Sequence, residues 1–173
     1  GEVTLFEYDL NNNQTRKTRP LNNAWAYDYD ELDRLQSVTD PDNGITAFTY
    51  DKANNLTEQS DARQNVTLFT YDDLNRRTSV TYPDGARMDY LAFDENSNLL
   101  QMRDARDIST TYSYDALNRE LSRSLTNPAD ASLARHIDQV ETRYDGNNNV
   151  TLVRETYNDA LVHTTAQRFD DFD

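Results

Sequence analysis

A recurring aromatic–aspartate pair is the feature of this sequence that most constrains its fold. The pair occurs at Tyr8-Asp9, Tyr29-Asp30, Tyr50-Asp51, Tyr71-Asp72, Phe93-Asp94, Tyr114-Asp115, Tyr144-Asp145 and Phe169-Asp170. Successive aromatic residues are 21, 21, 21, 22, 21, 30 and 25 positions apart. A fixed period of this length is typical of a chain built from structural repeats. The sequence therefore predicts repeats that start near residues 8, 29, 50, 71, 93, 114 and 144, with a truncated repeat at 169.

Turn-forming residues recur in phase with the aromatic–aspartate pair. Four residues after the aromatic lies Asn12, Asp33, Asn54, Asn75, Ser97, Asn118 or Asn148. Asn and Asp tolerate left-handed backbone angles and bond back to the local backbone, so a tight reversal is expected there. A second turn signal, which contains Gly44 in one repeat and Gly85 in another, follows about half a period later. Two turns per period leave two segments of strand length, and each repeat is predicted to be a β-hairpin.

The segments between the turns have the composition of β-strands. Residues 45–50 and 66–71 are rich in β-branched and aromatic side chains. Phe69 and Tyr71 fall on one face because side chains alternate along a strand. Stacked hairpins would align such rings across neighbouring strands, where each aromatic pair contributes roughly 0.5–1 kcal/mol. We therefore interpret the aromatic residues as sheet packing rather than ligand stacking. The longer 22-residue spacing predicts a β-bulge near Leu91 and Ala92.

An insertion interrupts the period at residues 126–139. The interval there exceeds the usual 21 residues by nine. Residues 127–136 begin with Asn127 and Pro128, which favour a cap followed by a short helix. An insertion on a repeat scaffold is a common place for a specific function. A tolerated surface excursion is the interpretation that we favour.

The repeat resembles the YD repeat of the RHS family, which includes bacterial polymorphic toxins, the B and C components of insecticidal Tc toxins, and teneurins. Residues 71–76 and 114–119 match the family pattern closely, and the segment Tyr82-Pro83-Asp84-Gly85 fits its second turn. This chain has Asn or Asp where many relatives carry Gly, which keeps the same turn chemistry. The resemblance extends over about residues 4–173.

The resemblance implies a fold and a role. It implies an all-β chain of tandem antiparallel hairpins in a curved continuous sheet, forming part of an RHS-type hollow shell. Residues 1–173 would be a fragment of a single YD-repeat domain. The expected function is structural and non-enzymatic, in the wall of a shell that encloses a C-terminal toxin. The expected partners are the rest of the shell and that toxin, and the expected location is secreted or at the cell surface.

A recognition module is the alternative function. Exposed Tyr and Asp side chains together could stack on and hydrogen-bond to glycans, and teneurin relatives act in cell adhesion. Binding through a non-repeated surface, such as residues 126–143, would distinguish this module from a uniform wall. We also expect open strand edges to let the fragment dimerise.

Composition excludes several other functions. The net charge is −14, with 31 acidic and 17 basic residues, which argues against nucleic acid and anionic membranes as partners. No apolar run is long enough for membrane insertion. The chain lacks cysteine and has only His136 and His163, so no zinc site is predicted, and no cofactor is predicted either. No nucleophile or phosphate-loop motif appears, and no catalytic residue is predicted.

Calcium is the one metal that the acidic turns leave open. Oxygen-bearing side chains cluster around one turn at Asp28, Asp30 and Asp33, and around another at Asp40, Asp42 and Asn43, but neither run completes an EF-hand loop. Turn capping is the interpretation that we favour for these aspartates.

Overall fold

The chain consists of β-strands, in a computed structural model that describes residues 3–126, 139–157 and 160–167. It divides into two compact units, Gly1–Ala86 and Arg87–Asp173. A single domain over residues 1–173 stays a prediction. The predicted helix at 127–136, and the truncated repeat at 169, lie outside the described residues. No helix in the described part of the chain is long and apolar enough to cross a membrane.

The first unit is a continuous antiparallel sheet of eight strands. Its strands are β1 (Leu5–Tyr8), β2 (Gln14–Arg19), β3 (Asn23–Tyr29), β4 (Leu35–Thr39), β5 (Ile45–Tyr50), β6 (Leu56–Ser60), β7 (Val66–Tyr71) and β8 (Arg77–Thr81). From β1 to β8, consecutive strands of this unit pair with each other. A single 3-10 turn, Pro20–Asn22, joins β2 to β3. Short loops make every connection local, as expected for stacked hairpins.

The second unit repeats this arrangement with seven strands. They are β9 (Arg87–Phe93), β10 (Leu99–Arg103), β11 (Ser109–Tyr114), β12 (Glu120–Thr126), β13 (Gln139–Tyr144), β14 (Val150–Tyr157) and β15 (Ala160–Ala166). Consecutive strands again pair antiparallel. The predicted all-β fold of tandem antiparallel hairpins is therefore confirmed in each unit.

A one-residue bulge recurs beside the aromatic–aspartate turn. In the hairpin of β5 and β6, Thr49 pairs with Glu58 and Tyr50 pairs with Leu56, so Thr57 is the extra residue. The register shifts at the same position in the other hairpins that begin with a Tyr-Asp turn. An additional bulge lies at Leu91, which is skipped between two paired neighbours in β9. The bulge predicted from the 22-residue spacing is thus confirmed.

The sheet has almost no fully buried apolar core. Among the described residues, the only buried hydrophobic side chains are those of Val80, Ile108 and Val140, which are 4%, 7% and 7% exposed. Ser79 is buried as well, and its hydroxyl lies 2.7 Å from that of Thr70. Most other strand residues are only half-buried. Stability therefore depends on partial burial spread along the strands and on hydrogen bonds at the turns.

Candidate functional site

The aromatic–aspartate turns share one five-residue loop. In residues 51–55, the Asp51 N–H donates to the Asn55 carbonyl at 2.9 Å, and the Asn54 N–H donates to the Asp51 carbonyl at 3.3 Å. This is a type I turn followed by a left-handed residue, a common hairpin connection. The left-handed position is occupied by Asn12, Asp33, Asn54, Asn75, Ser97, Asn118 and Asn148, with φ between 58° and 70°.

The aspartate that begins each loop organises it through both carboxylate oxygens. Asp51 Oδ1 accepts from the backbone N–H groups of Ala53 and Asn55, both at 2.8 Å. Asp51 Oδ2 accepts from the Asn55 side-chain amide at 2.9 Å. These hydrogen bonds lower the pKa of Asp51 below its usual value, and the bond from the Asn55 side chain has the largest effect. The same Oδ1 capping occurs at Asp9, Asp30, Asp72, Asp94, Asp115 and Asp145.

The residue that ends each loop also reaches the next repeat. Asn55 Nδ2 donates to Asn75 Oδ1 at 2.8 Å, 20 positions along the chain. Asn13 and Asn98 make the equivalent bonds, to Asp33 and Asn118 respectively. A line of side-chain hydrogen bonds therefore connects successive loops along one edge of the sheet.

In alternate repeats the loop-ending residue is arginine, and it links neighbouring loops through more contacts than asparagine does. Arg34 Nε and Nη2 both donate to Asp30 Oδ2 at 2.7 Å, and these bonds are the main reason that the pKa of Asp30 is lowered. Arg34 Nη1 donates to the Asp51 carbonyl at 3.0 Å and to Asn54 Oδ1 at 2.9 Å. The guanidinium carbon lies 4.8 Å from the centre of the Tyr50 ring. Four groups from two repeats thus surround one guanidinium.

The second unit contains the same arrangement. Arg119 donates to Asp115 Oδ2 through Nε and Nη2, both at 2.6 Å. Its Nη1 lies 2.8 Å from Asn148 Oδ1 and 3.3 Å from the Asp145 carbonyl. Its guanidinium lies 4.5 Å from the centre of the Tyr144 ring. Two independent copies show that the guanidinium contacts belong to the repeat.

The tyrosine of each pair ties its strand to the previous repeat. Tyr50 Oη donates to the Leu35 carbonyl at 3.0 Å, 15 positions earlier. Tyr29, Tyr71, Tyr114 and Tyr144 make the same type of bond, at 3.1, 2.9, 3.1 and 3.0 Å. Phe93 has no hydroxyl, and the Tyr8 side chain is exposed on β1. The predicted repeat tyrosines are thus hydrogen-bonding groups as well as packing groups.

The second set of turns uses the same loop with different residues. Asn43, Gln64, Gly85 and Asp107 have positive φ there, and the 3-10 turn has Leu21 at 63°. Gly44 follows the left-handed residue, and a Cβ on it would lie 2.6 Å from Asp40 Oδ2 and 2.8 Å from Ala62 Cβ. Glycine is therefore needed at position 44 because a side chain would clash with Asp40 and Ala62, and at position 85 because the backbone there has a positive φ. The sequence pattern did not reveal this distinction.

The acidic turns act as structural caps in the structure. Asp40 Oδ1 accepts from the N–H groups of Asp42 and Gly44, at 2.9 and 2.8 Å. Residues 3–126, 139–157 and 160–167 contain no group of three or more His, Cys, Asp or Glu residues arranged to hold a metal. The arrangement in these turns positions hydrogen-bond donors and acceptors around the loop backbone.

The hydrogen-bonded link between repeats was not predicted from the sequence. The loop-ending residue alternates between Asn and Arg: Asn13, Arg34, Asn55, Arg76, Asn98, Arg119 and Asn149. That alternation was visible in the sequence, but its meaning depends on the distance between neighbouring loops. Only the structure brings Arg34 and Tyr50, or Arg119 and Tyr144, into contact.

A known family of repeat sequences matches these hairpins. The family model described as RHS Repeat matches residues 8–45, 50–87 and 93–131, which is more than half of the chain. The chain belongs to the RHS repeat family. Each match starts on an aromatic–aspartate pair and covers most of two successive hairpins. None of the curated protein sequences compared with this RHS repeat chain matches it.

Solved structures show the same fold. A structure of TcdB2-TccC3-Cdc42 is 16% identical, with a TM-score of 0.73, and the match covers 95% of this RHS repeat chain and 10% of that chain. A Tc holotoxin pore structure from Photorhabdus luminescens is 17% identical, with a TM-score of 0.72, and the match covers 94% and 9%. A structure of TcdB2-TccC3 without its hypervariable C-terminal region is 16% identical, with a TM-score of 0.72 and coverage of 95% and 10%. The RHS repeat chain thus spans about a tenth of each of these chains.

Proposed function

We propose that this chain is a structural segment of the wall of an RHS shell that encloses a toxin polypeptide. The observation that carries the proposal is the uninterrupted pairing of consecutive strands, from β1 to β8 and from β9 to β15. The likeness to TcdB2-TccC3 structures supports it at the level of fold.

The wall would act by exclusion. Backbone hydrogen bonds between neighbouring strands leave openings too small for a polypeptide, because paired strands lie only about 4.8 Å apart. The loops are fixed at the sheet edge by the aspartate caps and by the side-chain links between repeats. Half-buried strands suit a layer that contacts water on both faces, and they do not suit a sheet packed into a sandwich.

The role is non-enzymatic, and the partners are the remaining repeats of the shell and its cargo. The aspartates that begin the loops cap backbone N–H groups, which gives these carboxylates a role without catalysis. Export to the cell surface or the medium follows from the same proposal, since a shell that isolates a toxin serves a cell that releases it.

Protease protection tests this function in the natural full-length protein that carries the chain. The polypeptide downstream of the repeats should survive digestion in the native protein. Val80→Asp buries an uncompensated charge at a side chain only 4% exposed, so it should open the wall and expose the cargo. Leu74→Asp changes a side chain that is 68% exposed, so protection should remain.

Two results would contradict the proposal. Digestion of the downstream polypeptide in the native protein would show that nothing is enclosed. Saturable binding of this chain to a glycan array would favour the adhesion alternative, because a wall needs no glycan contact.

A further inference from the structure

An open groove lies between two successive loops of the first unit. It has a volume of about 490 Å³ and lies beside Asp51, Asn55, Tyr71, Asp72 and Asn75. We call it the Asn55 groove. It is bordered by the loop at 51–55 on one side and by the loop at 72–76 on the other.

The Asn55 groove is one repeat away from the place where Arg34 lies. Arg34 contacts Asp30, Asp51, Asn54 and the Tyr50 ring. A shift of 21 positions converts these four contact residues into Asp51, Asp72, Asn75 and Tyr71. All four line the groove. The groove therefore presents the guanidinium-binding groups of the repeat, with the shorter Asn55 in place of arginine.

Asn55 fills only part of this space. Its Nδ2 bridges Asp51 Oδ2 and Asn75 Oδ1, at 2.9 and 2.8 Å. Each of those oxygens keeps a second lone pair, and so does the Asp72 carbonyl, which accepts from the Asn75 N–H. The structure records that such a carbonyl accepts two bonds, because the Asp51 carbonyl takes the Asn54 N–H and Arg34 Nη1 together.

Tyr71 is one of the aromatic residues that line the groove. Over residues 3–126, arginine lies on the ring of Tyr50 but no arginine or lysine lies on that of Tyr71. Asp73 adds a further carboxylate to the groove lining. The chain as a whole carries 31 acidic and 17 basic residues, so its field attracts cations.

We propose that the Asn55 groove binds the guanidinium of an arginine side chain from another polypeptide. The guanidinium stacks on Tyr71 and donates to Asp51 Oδ2, Asn75 Oδ1 and the Asp72 carbonyl. The occupant is arginine rather than lysine, because a planar fork of donors can stack and bond in several directions at once. This inference goes beyond the wall function and does not depend on it.

Titration followed by NMR tests the site on the chain itself. The probe is N-acetyl-L-arginine amide, whose only charge is the guanidinium. We expect saturable shifts at the Asn55 and Asn75 side-chain amides and at the Tyr71 ring. N-acetyl-L-lysine amide should bind at least about fivefold more weakly, because an ammonium group has no planar fork of donors that can stack on the Tyr71 ring. N-acetyl-L-citrulline amide, which has nearly the same shape without the charge, should give no saturable shift.

Two variants separate this site from general attraction to an acidic surface. Asn55→Arg places a guanidinium of the chain itself in the groove, as Arg34 does one repeat earlier. Because that guanidinium competes with the probe for the same groups, affinity for the probe should fall at least about tenfold. Tyr71→Leu removes the ring and should weaken binding about two- to fivefold, whereas Tyr71→Phe, which keeps the ring, should bind like the native chain.

Three results would overturn the inference. They are no saturable shift in the native chain, an equal response to the citrulline probe, and unchanged binding by a folded Asn55→Arg variant. Because every readout is residue-specific and made on this chain, failure here leaves the protease-protection test of the wall function untouched.

Discussion

Gly44 offers a sharp test of how closely successive repeats pack. A Cβ added at Gly44 would lie 2.6 Å from Asp40 Oδ2 and 2.8 Å from the Cβ of Ala62 in the next turn of the same kind. The Asp40 side chain cannot simply turn away, because its Oδ1 accepts from the N–H groups of Asp42 and Gly44. Ala62 Cβ cannot move without its backbone. Gly44→Ala should therefore force the two turns apart.

The expected cost follows from this overpacking. Inserting a methyl group into a filled space costs about 1–3 kcal/mol. For a chain of this size, each kcal/mol lowers Tm by about 2–4 °C. Gly44→Ala should accordingly unfold at a temperature about 2–12 °C below that of the native chain, measured by far-UV circular dichroism.

Gly146→Ala is the matched control. No atom lies within 4 Å of a Cβ at Gly146, and its φ is not positive. The same substitution should there be neutral or stabilise by about 0.4–1 kcal/mol, because alanine restricts the unfolded chain. Both variants change the unfolded state alike, so their difference isolates the clash. Equal midpoints for Gly44→Ala and Gly146→Ala would refute the close packing of the turns.

Three other changes have defined outcomes. Tyr71→Phe removes the 2.9 Å hydrogen bond from Tyr71 Oη to the Leu56 carbonyl, and it should lower the free energy of unfolding, measured in urea, by about 0.5–1.5 kcal/mol. Tyr8→Phe, at an exposed side chain, should leave that free energy unchanged. Gly85→Ala should lower the free energy of unfolding by about 1–2 kcal/mol, because φ at Gly85 is +83° although no atom lies near an added Cβ. Gly85→Asn should lose less stability, since asparagine tolerates left-handed backbone angles better than alanine does. Equal unfolding midpoints for the Ala and Asn variants would contradict the left-handed assignment. Hydrogen bonds from Asn55 and Arg76 lower the folded-state pKa values of Asp51 and Asp72, so their stabilisation is present above the unfolded pKa of about 3.9 and is lost as pH falls through the lower folded values. Thermal midpoints should therefore be flat from neutral pH to about pH 5 and should fall steeply below about pH 4, and a midpoint that rises on acidification would exclude this role.

The hairpins could be predicted from the sequence because their signals are local. An Asn at a fixed distance from Tyr-Asp is sufficient to indicate a left-handed turn, and Asn54 and Asn75 adopt one, with φ of 69° and 61°. The bulge at Leu91 followed from counting residues between repeats. These features depend on spacing within one repeat, which a single sequence displays directly.

The contacts between repeats could not be predicted in the same way. Whether Arg34 reaches Tyr50 depends on the separation and the register of two loops 20 positions apart. The role of Gly44 likewise depends on Ala62 in a neighbouring turn. Left-handed Gln64 and Leu21 carry no strong compositional signal, because neither residue type favours positive φ.

Within each unit, the described strands pair with their neighbours along the chain, and this local pairing has a consequence for synthesis. Each hairpin can close as soon as its two strands have left the ribosome, because it waits for no distant segment. The aromatic–aspartate turn closes over the same five-residue loop at residues 9–13 as at residues 145–149, so the entropy of closing that turn is the same early and late in the chain. A gene that gains repeats therefore enlarges its product without slowing the folding of any single addition.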